Sequence, residues 1–236
     1  QGNAEAQVNL GFMYETGYGV EINDTKAVYW YSQAANQGHV VAQYNLGVSY
    51  ARGIGGEQND TKAVYWYSLA AAKGYVAAQY KLGFMYEHGR GVGTKNNEEA
   101  VKWYTLAANQ GNADAQYALG FMFKFKDGHG VDQDDEKALY WFTQAAEQGH
   151  ANAQFGLGVL YAEGRGVTRN NTEAVKWYRK AAEQGYSKAQ SNLGVMYERG
   201  LGVEQNETEA FELYGKAAKQ GHAEAQKALI SFNSDI

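Results

Sequence analysis

Along residues 24–38 the apolar residues Ala27, Trp30, Tyr31, Ala34 and Ala35 recur at a regular spacing. The spacing i, i+3, i+4, i+7, i+8 puts all five on one side of an α-helix and predicts a buried stripe. Asn23, Asp24 and Thr25 stand just before it, side chains suited to capping the free amides of a first helical turn. Gly38 follows where a left-handed C-terminal cap is wanted. Upstream, Ala6, Leu10 and Tyr14 make a second stripe, which the glycines Gly17 and Gly19 bring to an end. The segment therefore predicts a pair of helices. Gly11 lies inside the first of them, where it costs about 1 kcal/mol of helix propensity relative to alanine. Its return at Gly47, Gly83, Gly120, Gly158 and Gly194 predicts a point where a neighbouring helix comes too close for a side chain.

The pair is used again and again. "KAVYWYSQAANQG" at 26–38 returns almost intact as "KAVYWYSLAAAKG" at 62–74. A glutamine in the first helix recurs as Gln7, Gln43, Gln79, Gln116, Gln154, Gln190 and Gln226, at spacings of 36, 36, 37, 38, 36 and 36. A leucine stands three residues after each, and all five tryptophans keep the same register, at Trp30, Trp66, Trp103, Trp141 and Trp177, with Leu213 in the sixth place. Such a unit cannot bury its apolar stripe alone, whereas stacked copies can. The expected fold is all-α, a right-handed α/α solenoid of six and a half two-helix repeats. Its units run approximately 3–38, 39–74, 75–111, 112–149, 150–185 and 186–221, with a terminal helix 222–236. No linker interrupts them, so one continuous body is expected, with Trp103 and Trp141 largely buried between helices of the central repeats.

Composition narrows the function. The 236 residues are 44% hydrophobic, enough for a core, and carry a net charge of −5 with acids and bases mixed along the chain. There is no basic block, which speaks against nucleic acid as a partner, because phosphate binding needs clustered Lys and Arg. Cysteine is absent, which removes disulfides, thiolate catalysis and cysteine-ligated metals together. No apolar run approaches the roughly 18–20 residues of a transmembrane helix. Proline is absent too, so the breaks fall to the 29 glycines and to capping residues.

The pattern A-x-A-Q-x-x-L-G-x-x-Y-x-x-G-x-G-V followed by A-x-x-W-Y-x-x-A-A-x-x-G resembles the Sel-1-like repeat, an α/α solenoid relative of the tetratricopeptide repeat. The resemblance covers essentially the whole chain. It implies an adaptor or scaffold that holds a partner protein or peptide, in bacterial envelope, signalling or host-contact roles or in eukaryotic quality control; the compartment stays open, with periplasm or export slightly favoured over the cytoplasm. Some exported members carry a disulfide in every repeat, a subgroup that this cysteine-free chain stands outside. Gln1 and Gly2 look like the close of a preceding repeat, so the first helix is expected to show apolar surface and to support self-association.

The resemblance to tetratricopeptide arrays also implies that first helices line a concave surface. Two residues before the leucine stand Val8, Tyr44, Tyr80, Tyr117, Phe155, Ser191 and Lys227; four residues further on stand Phe12, Val48, Phe84, Phe121, Val159, Val195 and Ser231. The two positions share a helical face. Tyr44, Tyr80, Phe84, Tyr117, Phe121 and Phe155 are the candidate partner-binding residues, with Glu15, Glu87, Lys124 and Glu198 at the edge. The other reading of this aromatic ladder is packing of repeat against repeat.

Candidate chemistry is sparse. His39, His150 and His222 share one slot just after the glycine cap, a local role. His88 and His129 lie near Glu87 and Asp127 in inter-helix loops, the one place where a metal is conceivable. No nucleophile–base pair converges, so no catalytic residue, cofactor or metal is assigned, and an enzyme is the most distant reading. "DQDDE" at 132–136 superficially resembles a calcium loop, but it lacks the glycine and the distant bidentate glutamate and reads as an acid-rich helix start. The N-x-T triplets at Asn23, Asn59, Asn170 and Asn206 coincide with helix caps and read as such. The third unit has one extra residue between Val92 and Ala100, and the fourth has two between Phe123 and Gly128. Insertions of this kind map to loops on one face.

Overall fold

The computed structural model describes residues 2–125 and 132–234, with side chains up to residue 232. Among the described residues the regular structure is helical throughout. The helices are α1 (Ala4–Thr16), α2 (Asp24–Asn36), α3 (Val40–Arg52), α4 (Asp60–Ala72), α5 (Val76–His88), α6 (Asn97–Asn109) and α7 (Ala113–Lys124). There follow α8 (Asp135–Glu147), α9 (Ala151–Glu163), α10 (Asn171–Glu183), α11 (Ser187–Arg199), α12 (Glu207–Lys219) and α13 (Ala223–Ser234). The chain divides into two compact units, Gln1–Ala115 and Gln116–Ile236. In the first, α1 packs on α2, α2 on α3 and so on to α6; in the second the same succession runs from α8 to α13. Helices that touch mainly their sequence neighbours are the mark of an all-α repeat solenoid.

Caps set the helix starts. Asn23, Asn59, Asn96, Asp134, Asn170 and Asn206 each accept a hydrogen bond from the amide three residues on, at 2.9–3.1 Å. The four N-x-T asparagines are therefore caps, and so is Asp134 of the acid-rich stretch. His39, His150 and His222 also cap, each accepting at Nδ1 from an amide three residues later.

The buried stripe of α2 is Ala27, Tyr31, Ala34 and Ala35. The tryptophan expectation needs correction. Trp103 and Trp141 are only half-buried, and the deeply buried aromatic is the next residue, Tyr104 or Phe142. At 3.6 residues per turn the tryptophan falls at the edge of the stripe's arc and the following residue near its centre. From that edge it reaches the preceding repeat: Trp66 packs on the cluster of Val8, Tyr31 and Leu46, and Trp103 on that of Tyr67, Leu82 and Met85.

The buried aromatic explains the mid-helix glycines. A Cβ on Gly11, Gly47, Gly83, Gly120, Gly158 or Gly194 would lie 2.5–2.8 Å from the ring of Tyr31, Tyr67, Tyr104, Phe142, Tyr178 or Tyr214 respectively. No Cβ fits at that distance, so glycine accepts its propensity cost and lets the ring in.

The recurring glutamine ties each repeat to the one before. Gln79 donates from Nε2 to the Ala71 carbonyl at 3.2 Å, and its Oε1 accepts from Gln110 Nε2 at 2.7 Å. Gln154 and Gln190 do the same with Gln184 and Gln220. A helix-end carbonyl is satisfied by one bond and the opposite helix end is held by the other. The latch lacks its second bond at Gln43. Lys73 stands where the second glutamine belongs and turns its Nζ to the Gly38 carbonyl at 2.6 Å. The buried Gln43 Oε1 is left without a partner.

Candidate functional site

In the first unit, Tyr44 is half-buried, its ring 5.9 Å from that of Tyr67 and 5.1 Å from that of Tyr75. Tyr80 leans on Tyr104 at 5.7 Å, and Phe84 stacks on His88 at 4.1 Å. In the second unit, Tyr117 stacks on His150 at 4.7 Å, and Phe155 lies between Tyr178 and Tyr186 at 5.8 and 5.3 Å. Phe121 is exposed. The first rung of the ladder thus packs against the buried aromatic of its own repeat and keeps one flank open. Val159 is buried.

The edge residues have a clear job. Tyr31, Tyr104 and Tyr214 donate from their hydroxyls to Glu15, Glu87 and Glu198 at 2.6–2.8 Å. Where the tyrosine becomes Phe142, which has no hydroxyl, the glutamate becomes Lys124. The acids at the rim therefore answer the phenols of the core.

In the first unit Tyr44 and Phe84 come together. With Val48, Ala51, Tyr67 and Met85 they line an open hollow of about 190 Å³ between α3, α4 and α5. Three cations, Arg52, Lys81 and Arg90, complete its wall. Arg90 comes from the glycine loop after α5 and grips Asp60 with two bonds of 2.8 and 3.0 Å, its Nη2 also reaching the Ala51 carbonyl at 3.4 Å. The loop can pass so close because Gly91, at φ 70°, leaves no Cβ to strike the Asp60 carbonyl. The guanidinium holds the Asp60 carboxyl below its ordinary range. Arg52 and Lys81 form no ion pair among the described residues. Burial and the neighbouring Tyr44 push the Tyr67 phenol up, against the pull of Arg52 and Arg90.

The sequence ladder misses Tyr67, Arg52, Lys81 and Arg90. They lie 15, 14 and 9 residues apart in order along the chain and so make no basic block. The signal that points to them is departure from the repeat: Ala51 in the glutamate's place and Lys81 where Asn45 and Asn192 stand in other units.

Among the described residues no three His, Asp or Glu side chains gather as a metal-binding group. His88 accompanies Phe84, while His129 and Asp127 lie outside the described residues, as does most of the fourth unit's insertion. The third unit's extra residue falls in the Arg90 loop. Among the described residues no helix is long and apolar enough to cross a membrane.

Two-helix units stacked in series, held by glycine–aromatic contacts and a glutamine latch, define an all-α repeat-solenoid protein. The chain belongs to the Sel1 repeat family, whose pattern matches residues 4–39, 40–75, 76–112, 113–150, 151–186 and 187–222. The uropathogenic Escherichia coli protective antigen c5321, which displays an SLR fold, is 40% identical over 97% of this chain, with a TM-score of 0.91. A Sel1 repeat protein from Oxalobacter formigenes is 38% identical over 98% of this chain, with a TM-score of 0.84. A sel1-like repeat-containing protein of Acanthamoeba polyphaga mimivirus is 61% identical over 33 residues, 14% of this chain and 6% of its own length. The chain spans 48% of the Escherichia coli antigen and 66% of the Oxalobacter protein.

Proposed function

We propose that this chain is a protein–protein interaction scaffold that takes a partner peptide or helix on the concave face formed by its first helices, and that it performs no catalysis. The observation that carries the reading is the hollow between α3, α4 and α5, where Tyr44 and Phe84 stand beside two cations, Arg52 and Lys81, that form no ion pair among the described residues. Aromatic and arginine side chains are the residue types that dominate binding energy at interfaces. In the second unit the same reading gives Tyr117, Phe121 and Phe155 to a partner. A photo-crosslinking residue placed at Phe84 should capture a partner in native cells, and one placed at the exposed Lys176 should not. Equal capture at both places would count against the scaffold.

A second reading, a spacer or recognition module within a larger signalling or secretion protein, is supported by the relatives' length, about twice that of this chain for the Escherichia coli antigen. Self-association through the first repeat also belongs to the proposal, since Ala6 and Phe12 are exposed on α1. Sedimentation over a hundredfold range of concentration tests it, and a constant monomer mass would remove it.

A further inference from the structure

Five repeats place a tyrosine under the mid-helix glycine, and the partners of its hydroxyl differ. Tyr31 has both the Glu15 carboxylate and the Asn45 side chain. Tyr104 and Tyr214 have Glu87 and Glu198. Tyr178, whose repeat carries Ala162 in the glutamate's place, is met by Asn192. Tyr67 has neither. Ala51 occupies the glutamate's place, Lys81 occupies the asparagine's, and among the described residues the Tyr67 hydroxyl has no hydrogen-bond acceptor.

The space that a glutamate side chain would fill is the hollow itself, and Ala51 is on its wall. The substitutions also reverse the charge there. An acid has been removed, a neutral amide has become Lys81, and Arg52 adds a second cation without an ion pair. A phenol donor and two cations without an ion pair among the described residues, around an open hollow, make an anion-accepting arrangement, in which hydrogen bonds to a charged acceptor are worth about twice those between neutral groups. Tyr44 and Phe84 flank it, so the acid would arrive on an apolar or aromatic neighbour rather than alone.

We propose that this hollow receives a glutamate side chain of a partner protein, which takes the place that Glu15, Glu87 and Glu198 take within their own repeats. The carboxylate accepts from the Tyr67 hydroxyl and pairs with Lys81 and Arg52, while Arg90 remains committed to Asp60. The inference rests on the scaffold reading above and specifies the chemistry of its partner.

The internal template supplies the test. Ala51→Glu builds the missing carboxylate into the chain, so it should leave the fold intact or firmer while closing the hollow. A phage-displayed pool of random dodecapeptides is selected on the intact chain and on Ala51→Glu. Wild type should enrich peptides with a glutamate next to an apolar residue. Ala51→Glu should not enrich them, and replacing that glutamate by glutamine should weaken binding about tenfold or more. Tyr67→Phe, which keeps the ring as at Phe142, and Lys81→Asn, which restores the residue found at Asn45 and Asn192, should each weaken the same peptides, so the test survives if Ala51→Glu fails to fold. Enriched peptides without an acid, or binding unchanged in Ala51→Glu, overturn the inference and leave the scaffold standing. Dependence on the peptide's terminal carboxylate alone also overturns it. Enrichment of nothing removes the scaffold reading and the inference together.

Discussion

Gly83 and Tyr104 claim the same space: a Cβ on the glycine would sit 2.7 Å from Cδ1 and 2.8 Å from Cε1 of the ring. The ring is buried and its hydroxyl donates to Glu87 one turn along α5 at 2.6 Å, so it has no easy way to withdraw. Gly83→Ala should therefore destabilise the protein by about 1–2 kcal/mol, the cost of overpacking less the propensity that alanine gains in a helix. Denaturant melts decide it, and a midpoint at or above wild type would show that the ring yields freely.

The relative depth of the neighbouring aromatics makes a second expectation. Tyr104→Ala should cost about 3–5 kcal/mol, as for other buried large-to-small changes, and Trp103→Ala distinctly less. Equal losses would mean that the tryptophan's reach onto the preceding repeat matters as much as the central position in the core.

Lys73→Gln should complete the latch left open at Gln43. The new amide would donate to the buried Gln43 Oε1 as Gln110 donates to Gln79, and it gives up only the exposed bond to the Gly38 carbonyl. A gain of about 0.5–1.5 kcal/mol follows from pairing a buried acceptor. It should appear as a higher denaturant midpoint at an unchanged slope. A lower midpoint would mean that the lysine's bond is the stronger of the two.

Alkaline pH should loosen the array through its buried phenols. Burial, reinforced by the glutamate beside each, raises the Tyr31, Tyr104 and Tyr214 phenols above their ordinary value. Burial pushes Tyr178 up to about 12. These folded-state values lie above the unfolded value of about 10, so their contribution is whole below pH 10 and is lost as pH rises from there through the folded values. Stability measured at about pH 9, 10 and 11 should fall over the last two steps. Phenolate absorbance of the folded protein should show the buried tyrosines ionising only well above pH 10. A single step near pH 10 in the folded protein would contradict the buried assignment.

The order in which this protein yields to reading follows the range of the interactions. Helix pairs, caps and repeat register were legible in the sequence, because each depends on residues within a turn or two. Asn59 caps the amide of Lys62, three residues away, and the 36-residue period only repeats such local choices. The recurrent glycine announced a close approach, but the ring of Tyr104 as its cause is 21 residues distant. The depth of tryptophan against tyrosine turned on where the stripe's centre falls once a second helix is laid against it. The candidate site lay furthest from view. Arg52, Tyr67, Lys81 and Arg90 are scattered singly through the sequence, and only the stacking of α3, α4 and α5 turns them to one hollow. Its character comes from what the second repeat lacks, a glutamate beside Tyr67, and a missing side chain becomes a vacancy only when the neighbours that would have touched it are in place.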